Sequence, residues 1–338
     1  MKNIFKKITS LALVFVLACG VLAGCGSKEN GGSGDGAADD KLKIGVIQYM
    51  SHPSLDNCYK GAEEALVEKY GDDVEIDRQI GSDASADADC ETYAKMMVAN
   101  GYDMIIAIAT PAATSAYAAT EASDIPVVFC AVSDPVTAQL VSSLETPGGA
   151  CTGTSDILDM EAQVDLIQSL QPDVKSIGVL YTTSEANSIT QLEMLKEVAS
   201  KRGITVEASG VQSASDIPAA AAALVQKVDC INNFTDNNVV NNLQVLIEAA
   251  NGAGIPVYGS EIEQVKNGCL ASASIEYVAL GRETGNMAVE VLEGADISSM
   301  SVRTISEATP VINTDVMAAL NIEMPAEYAD AETVTTNK

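Results

Sequence analysis

From residue 42 onward, short, continuously apolar runs rich in β-branched residues alternate with longer runs whose apolar positions recur every three or four residues. The first kind reads as buried strand and the second as amphipathic helix. Residues 43–48 predict a strand and 56–70 a helix, with Tyr59, Ala62, Leu66 and Tyr70 on one stripe. Residues 75–80 predict the next strand and 89–100 a helix ended by Gly101. The run 104–109 is apolar throughout, as burial of both faces of a parallel sheet requires. Pro111 follows where a first helical turn tolerates proline, and 126–132 predict a further strand. After about residue 157 the rhythm restarts. Helices at 159–170, 185–202, 217–227, 238–252 and 277–292 alternate with strands at 176–181, 205–211, 230–234, 256–258 and 269–274. Repeated βα units imply parallel sheets with right-handed crossovers. Two such sets predict an α/β chain of two doubly wound parallel-sheet lobes joined by a hinge. Ligands of such sheets lie beyond the carboxyl ends of the strands, where helix N-termini converge.

The first 25 residues stand outside this rhythm. Lys2, Lys6 and Lys7 precede an apolar run over 11–18, and Leu22-Ala23-Gly24-Cys25 closes it with small residues and a cysteine. That order reads as a secretion signal, too short for a stable membrane span. Leu-Ala-Gly-Cys resembles the lipobox of bacterial lipoproteins, which implies cleavage after residue 24 and lipidation of the Cys25 thiol. Acyl chains add about 0.8 kcal/mol per buried methylene, enough for a multiply acylated cysteine to hold the chain at a membrane surface. Residues 26–40 contain no apolar side chain larger than alanine and read as a flexible spacer. The expected location is the extracytoplasmic face of the bacterial cell membrane, with contact to the membrane through the N-terminal lipid only.

Charge narrows the partners. The net charge of −28 becomes −31 once Lys2, Lys6 and Lys7 leave with the signal. A surface this acidic argues against nucleic acid and anionic lipid as partners. Of eight cysteines, Cys58, Cys90, Cys130, Cys151, Cys230 and Cys269 remain after Cys19 is removed and Cys25 modified. None forms a CxxC pair or has metal-like spacing to His52, the sole histidine, so no metal and no cofactor are expected. Several sit in apolar strand-like runs, where buried free thiols are common.

The strand ends carry the chemistry. Tyr49 to Pro53, Ala109 to Ala112, Ala131 to Pro135, Thr182 to Ser188 and Thr235 to Asn238 leave strand ends in the first and second halves. Gly153 to Asp156 lies at the inferred lobe junction, and Gly259 to Glu261 completes the set. Hydroxyls and free amides at a helix N-terminus suit a carboxylate, and Thr110, Ser184 and Ser188 are candidates for that role. Each alone could equally be an N-cap. An ammonium needs an acceptor, which Asp156 and Asp236 offer; Asp236 could instead only cap the helix after it. Glu261 is a further acceptor or a first-turn acid. His52 completes no nucleophile–base signature and reads as a hydrogen-bonding imidazole, so the chain is not read as an enzyme. Arg78, Arg202, Arg282 and Arg303 all lie away from these loops, which favours a ligand of little net charge.

Taken together, His52-Pro53-Ser54-Leu55-Asp56, Ile108 to Ala112, Val132-Ser133-Asp134-Pro135, Gly153 to Asp156, Thr235-Asp236-Asn237 and Gly281 to Gly285 recur in an order seen elsewhere. The chain resembles the substrate-binding lipoproteins of ABC importers, in the subfamily of tryptophan/tyrosine-type binding proteins. The likeness covers residues 42 to about 325. It implies a type I periplasmic-binding-protein fold with three hinge crossings, a monomer that captures an amino acid, often aromatic, and an ABC permease as partner. It also implies an N-lobe of 42–156 plus 277–309, a C-lobe of 157–276 plus 310–328, and a tail of 329–338. Carried onto this chain, Thr110 with Ser184, Asn187 and Ser188 would hold the carboxylate, and Pro111 and Ala112 would belong to the ligand-binding residues beside Thr110. Asp156 or Asp236 would hold the amine, Tyr49 would stack on an aromatic side chain, and His52, Ser133 and Glu261 would complete the lining. Phe129 and Phe234, the two phenylalanines after the signal, lie in core strands and read as packing. A nucleoside or sugar ligand, a ligand-sensing lobe coupled to a receptor and an exported hydrolase are the other readings. The first lacks the charged planar groups of sugar sites, and the last lacks a nucleophile–base pair.

Overall fold

The computed structural model describes residues 41–305 and 309–337. The predicted signal, the lipidation site at Cys25 and the spacer up to residue 40 lie outside the described residues.

In the first lobe, β1 (Leu42–Gln48), α1 (Pro53–Tyr70), β2 (Val74–Ile80), α2 (Ala86–Ala99), β3 (Met104–Ile108), α3 (Thr110–Thr120), β4 (Val127–Cys130) and β5 (Cys151–Ser155) follow in order. All five strands of β3, β4 and their neighbours pair in parallel, in the order β5-β4-β3-β1-β2. Every residue of β3 and β4 is buried, because helices cover both faces.

The second lobe continues with α4 (Met160–Leu170), β6 (Ser176–Thr182), α5 (Ala186–Lys201), β7 (Thr205–Val211), α6 (Ile217–Leu224), β8 (Cys230–Asn232), α7 (Asn237–Asn241), α8 (Leu243–Ala253), β9 (Val257–Tyr258), α9 (Ile262–Lys266) and β10 (Ala271–Ser274). Its parallel order is β7-β6-β8-β9. Leu270 N to Val257 O at 2.6 Å and Gly259 N to Ala271 O at 2.9 Å extend the hydrogen bonding from β9 towards β10.

The chain then returns. α10 (Tyr277–Leu292) packs on the first lobe, and β11 (Arg303–Thr304) adds to the free edge of β5. β12 (Thr309–Asn313) pairs antiparallel with β10, α11 (Thr314–Leu320) follows, and β13 (Glu332–Val334) pairs with β12. Residues read as a tail thus contribute an edge strand, too short and polar to register as one in the sequence. The helix expected over 238–252 is two, broken at Asn242 between α7 and α8. The sequence places residues 153–156 at the lobe junction and predicts no strand there, but 151–155 form β5 because Gly153 lets β4 lie alongside: a Cβ there would meet Phe129 O at 2.0 Å.

The cores are separate. Phe129, Ile106, Met104 and Leu280 belong to one cluster, and Phe234, Tyr258, Leu166 and Ile312 to another. The α1–α10 contact needs glycine on both sides. A Cβ on Gly61 would sit 2.0 Å from Val278 O, and one on Gly281 2.0 Å from Cys58 O. All six described cysteines are free and buried.

Candidate functional site

Two strand ends of the first lobe bend abruptly where they meet the interlobe cleft. Ala109, after β3, has φ 81° and Ala131, after β4, has φ 55°, a region L-residues with a side chain avoid. Such backbone costs about 1–3 kcal/mol and concentrates at functional sites. Both residues line one cavity, with His52, Thr110, Ser133, Asp156 and Tyr277 on the first lobe. Asn187, Thr235, Asn237, Val240, Glu261 and Gln264 face them from the second. The space these residues enclose is small.

The N-terminus of α3 opens onto this space. Thr110 is buried there, and its Oγ1 has no hydrogen-bond partner among the described residues. Asp156, at the end of β5, is 2 % exposed and accepts from Ser133 Oγ at 2.8 Å and Tyr277 OH at 2.8 Å. Burial pushes its carboxyl above the usual range, against the pull of those two hydroxyls. Glu261 caps α9, accepting from Gln264 N at 2.8 Å and Glu263 N at 2.6 Å, and takes Ser54 Oγ from the opposite lobe at 3.1 Å. Burial raises it to about 7. Among the described residues, no lysine or arginine lines the cavity. Arg78 pairs with Asp56, Arg202 with Glu161 and Asp165, Arg282 with Glu64 and Glu68, and Arg303 with Glu283 and Glu290, all away from it.

Further hydrogen bonds cross the cleft. Gln191 Nε2 reaches Ser133 Oγ at 2.9 Å, and His52 Nε2 lies 3.4 Å from Asn237 Oδ1. Burial holds the His52 imidazole neutral, pushing it down to about 4. Glu185, beside Asn237, takes the backbone N–H groups of Asn237 at 3.0 Å and Asn238 at 3.2 Å, and burial raises it to about 8.

The structure gathers His52, Thr110, Ser133, Asp156, Asn187 and Glu261 around this cavity and separates the other predicted residues from it. Pro111 and Ala112 form the first turn of α3 without lining the space. Ser184 is exposed and, with Tyr49, borders a different groove beside Asp83, Asp87 and Gln212. Ser188 is spent on Asp236, to which it donates at 2.7 Å. Asp236 accepts also from Thr182 N at 2.6 Å, Thr182 Oγ1 at 2.8 Å and Val239 N at 2.9 Å, so both its oxygens are occupied within its own lobe. Sequence reasoning overlooked Tyr277, Gln264, Val240 and Ser54. Tyr277 follows a strand end and opens a helix, the same signal that marked Thr110.

The family whose profile matches residues 43–333 is described as ABC transporter substrate binding protein. A tyrosine-binding protein of Clostridioides difficile (strain R20291) is 38 % identical over 325 residues, covering 94 % of this chain and 93 % of the relative. A streptococcal (Streptococcus pneumonia) ABC domain solved in complex with L-Trp superposes with a TM-score of 0.83 at 38 % identity, covering 87 % of this chain and all of that one. A substrate-binding protein with adhesive properties from Clostridium difficile, solved in its ligand-free, open form, gives 0.67 at 37 % identity, covering 88 % and 100 %. At nearly equal identity the present lobes match the ligand-bound arrangement better than the open one, in keeping with the hydrogen bonds that span the cleft.

Proposed function

Because the chain belongs to the ABC transporter substrate-binding protein family, we propose that it captures an aromatic amino acid between its lobes and delivers it to a membrane permease. The observation that carries this reading is the pair Thr110 and Asp156 in one closed cavity. An unpartnered hydroxyl at a helix N-terminus suits the ligand carboxylate, because the free N–H groups and the helix dipole favour negative charge there. Asp156 has two neutral donors and spare acceptor capacity, so the ammonium goes to it; Asp236 already has four donors. Asn187 Oδ1, buried without a donor, is a second acceptor for the ammonium. A zwitterion held by neutral donors and one carboxylate needs no arginine, and none is present in the lining. The similarity to a tyrosine-binding protein and to an L-Trp complex supports the aromatic class.

Closure on the ligand is a shift of population towards the state in which both lobes touch it. In this reading the chain acts as a monomer at the outer face of the membrane, anchored through Cys25 and free of catalytic chemistry. Isothermal titration with each amino acid tests capture: heat from aromatic ones is expected, and heat from none would overturn it. Incorporation of labelled palmitate, lost in Cys25→Ala, tests the anchor.

A further inference from the structure

A relay of hydrogen bonds fixes the protonation of the chain's one histidine. It starts from backbone N–H groups, which can only donate. Asn237 N donates to Glu185 Oε2 at 3.0 Å and Asn238 N to Glu185 Oε1 at 3.2 Å. Oε2 also takes Asn187 Nδ2 at 3.3 Å, whereas among the described residues Oε1 takes only Asn238 N, so a proton on this carboxyl belongs on Oε1 and Oε2 acts as the acceptor. Asn237 Nδ2 donates to the same Oε2 at 2.7 Å, which settles the amide orientation and leaves Oδ1 as the atom facing His52. A carbonyl oxygen accepts, so the hydrogen on the imidazole sits at Nε2 and Nδ1 keeps a bare lone pair. Nδ1 has no partner among the described residues, in a side chain 7 % exposed that lines the cavity. Nor does it cap α1, although His52 occupies the N-cap position. A buried acceptor without a donor costs about as much as a lost hydrogen bond, so its natural complement is a donor on the ligand.

We infer that His52 Nδ1 accepts an O–H or N–H from the side chain of the bound amino acid, so that the site selects donor-bearing aromatic side chains over phenylalanine. The inference rests on the proposed capture of an aromatic amino acid and deepens it. Asp156 and Asn187 account for two of the three ammonium N–H groups; were the third the donor to Nδ1, His52→Leu would weaken tyrosine, tryptophan and phenylalanine binding equally. Selection of this kind is steep: a site built to bond a hydroxyl rejects the analogue that lacks it, because its polar group is then left unpaired.

The test has two arms on the purified protein. Calorimetry with tyrosine, tryptophan and phenylalanine should give phenylalanine about tenfold weaker binding, or worse, than the tighter of the other two. In His52→Leu that ratio should fall towards one, through loss of the donor-bearing ligand's affinity. Equal binding of phenylalanine would overturn the inference and leave capture standing, as would equal weakening of all three in His52→Leu. Heat from no amino acid would overturn both. The second arm is nitrogen-15 NMR of the single histidine. The Nε2–H tautomer is expected in the free protein, with the Nδ1 resonance moved by tyrosine or tryptophan and not by phenylalanine. An Nδ1–H tautomer would sink the inference whatever the affinities.

Discussion

Gln191 of α5 donates from Nε2 to Ser133 Oγ across the cleft at 2.9 Å, and the same nitrogen reaches Thr235 Oγ1 at 2.6 Å. Its orientation is set by Thr235 N, which donates to Gln191 Oε1 at 3.2 Å. Ser133 in turn donates to Asp156. The bond that joins the lobes and the bond that holds the carboxylate thus share one hydroxyl. Gln191→Ala should shift the ligand-free protein towards the open form by about 1 kcal/mol, roughly fivefold in population. Small-angle scattering should show a larger radius of gyration, and an unchanged one would remove Gln191 from the latch.

Thr110→Val keeps shape and removes a hydroxyl that no protein group uses. The ligand-free variant should melt at or slightly above the wild-type temperature, because an unsatisfied buried group has gone. Ligand affinity should fall about tenfold or more. A variant that binds normally would move the carboxylate away from α3.

The two buried aspartates should separate cleanly. Asp156→Asn is expected to weaken binding about a hundredfold, with unfolding in denaturant changed by about 1 kcal/mol or less. Asp236→Ala strands the donors from Thr182, Ser188 and Val239 and removes the cap of α7, so it should cost about 3 kcal/mol or more of stability. Reversal of that pattern would transfer the amine to Asp236.

Stability should also depend on pH with an uncommon slope. Glu261 and Glu185 are raised by burial from 4.5 to about 7 and about 8, so the folded protein keeps protons that the unfolded chain loses. Their contribution is complete below pH 4.5 and disappears as pH rises through 7 and 8. His52 runs the other way: lowered to about 4 from 6.5, it contributes above 6.5 and fades as pH falls through 4. Between pH 6.5 and 8.5 the glutamates act and His52 no longer opposes them. The melting temperature of ligand-free protein should fall over that interval, and the double variant Glu185→Gln/Glu261→Gln should flatten the fall. A wild-type curve that rises there would contradict the assignment.

The fold was legible in the sequence because both signals that define it are local. Periodicity marked α10 at 277–292 and β7 at 205–211 with the boundaries observed. What escaped was set by tertiary pairing. β5 exists because Gly153 tolerates the β4 backbone, and β11 and β13 are short edge strands whose partners lie far away in the chain. The candidate site was half legible for a similar reason. Strand-end position singled out Thr110 and the inferred lobe junction Asp156, yet neither could say which way a loop side chain turns. Ser184 and Ser188 are four positions apart; one is exposed and the other buried on Asp236. Tyr277 was hidden by its place on an amphipathic helix, where an apolar body reads as packing, which it also is.

The embrace of α1 by α10 governs how the protein can come into being. Arg282 of α10 reaches Glu64 of α1 at 3.0 Å across a sequence separation of 218 residues. Gly61 and Gly281 bring the two backbones into contact at the same seam. The lobe synthesised first consequently waits for its outer layer until most of the other lobe has been made, and β12, α11 and β13 then finish the second lobe. Long-range closure of this kind slows folding. A nascent chain paused before residue 277 has β4 and β5 uncovered on the side that α10 will occupy, and that bare apolar surface is what an escort would have to cover.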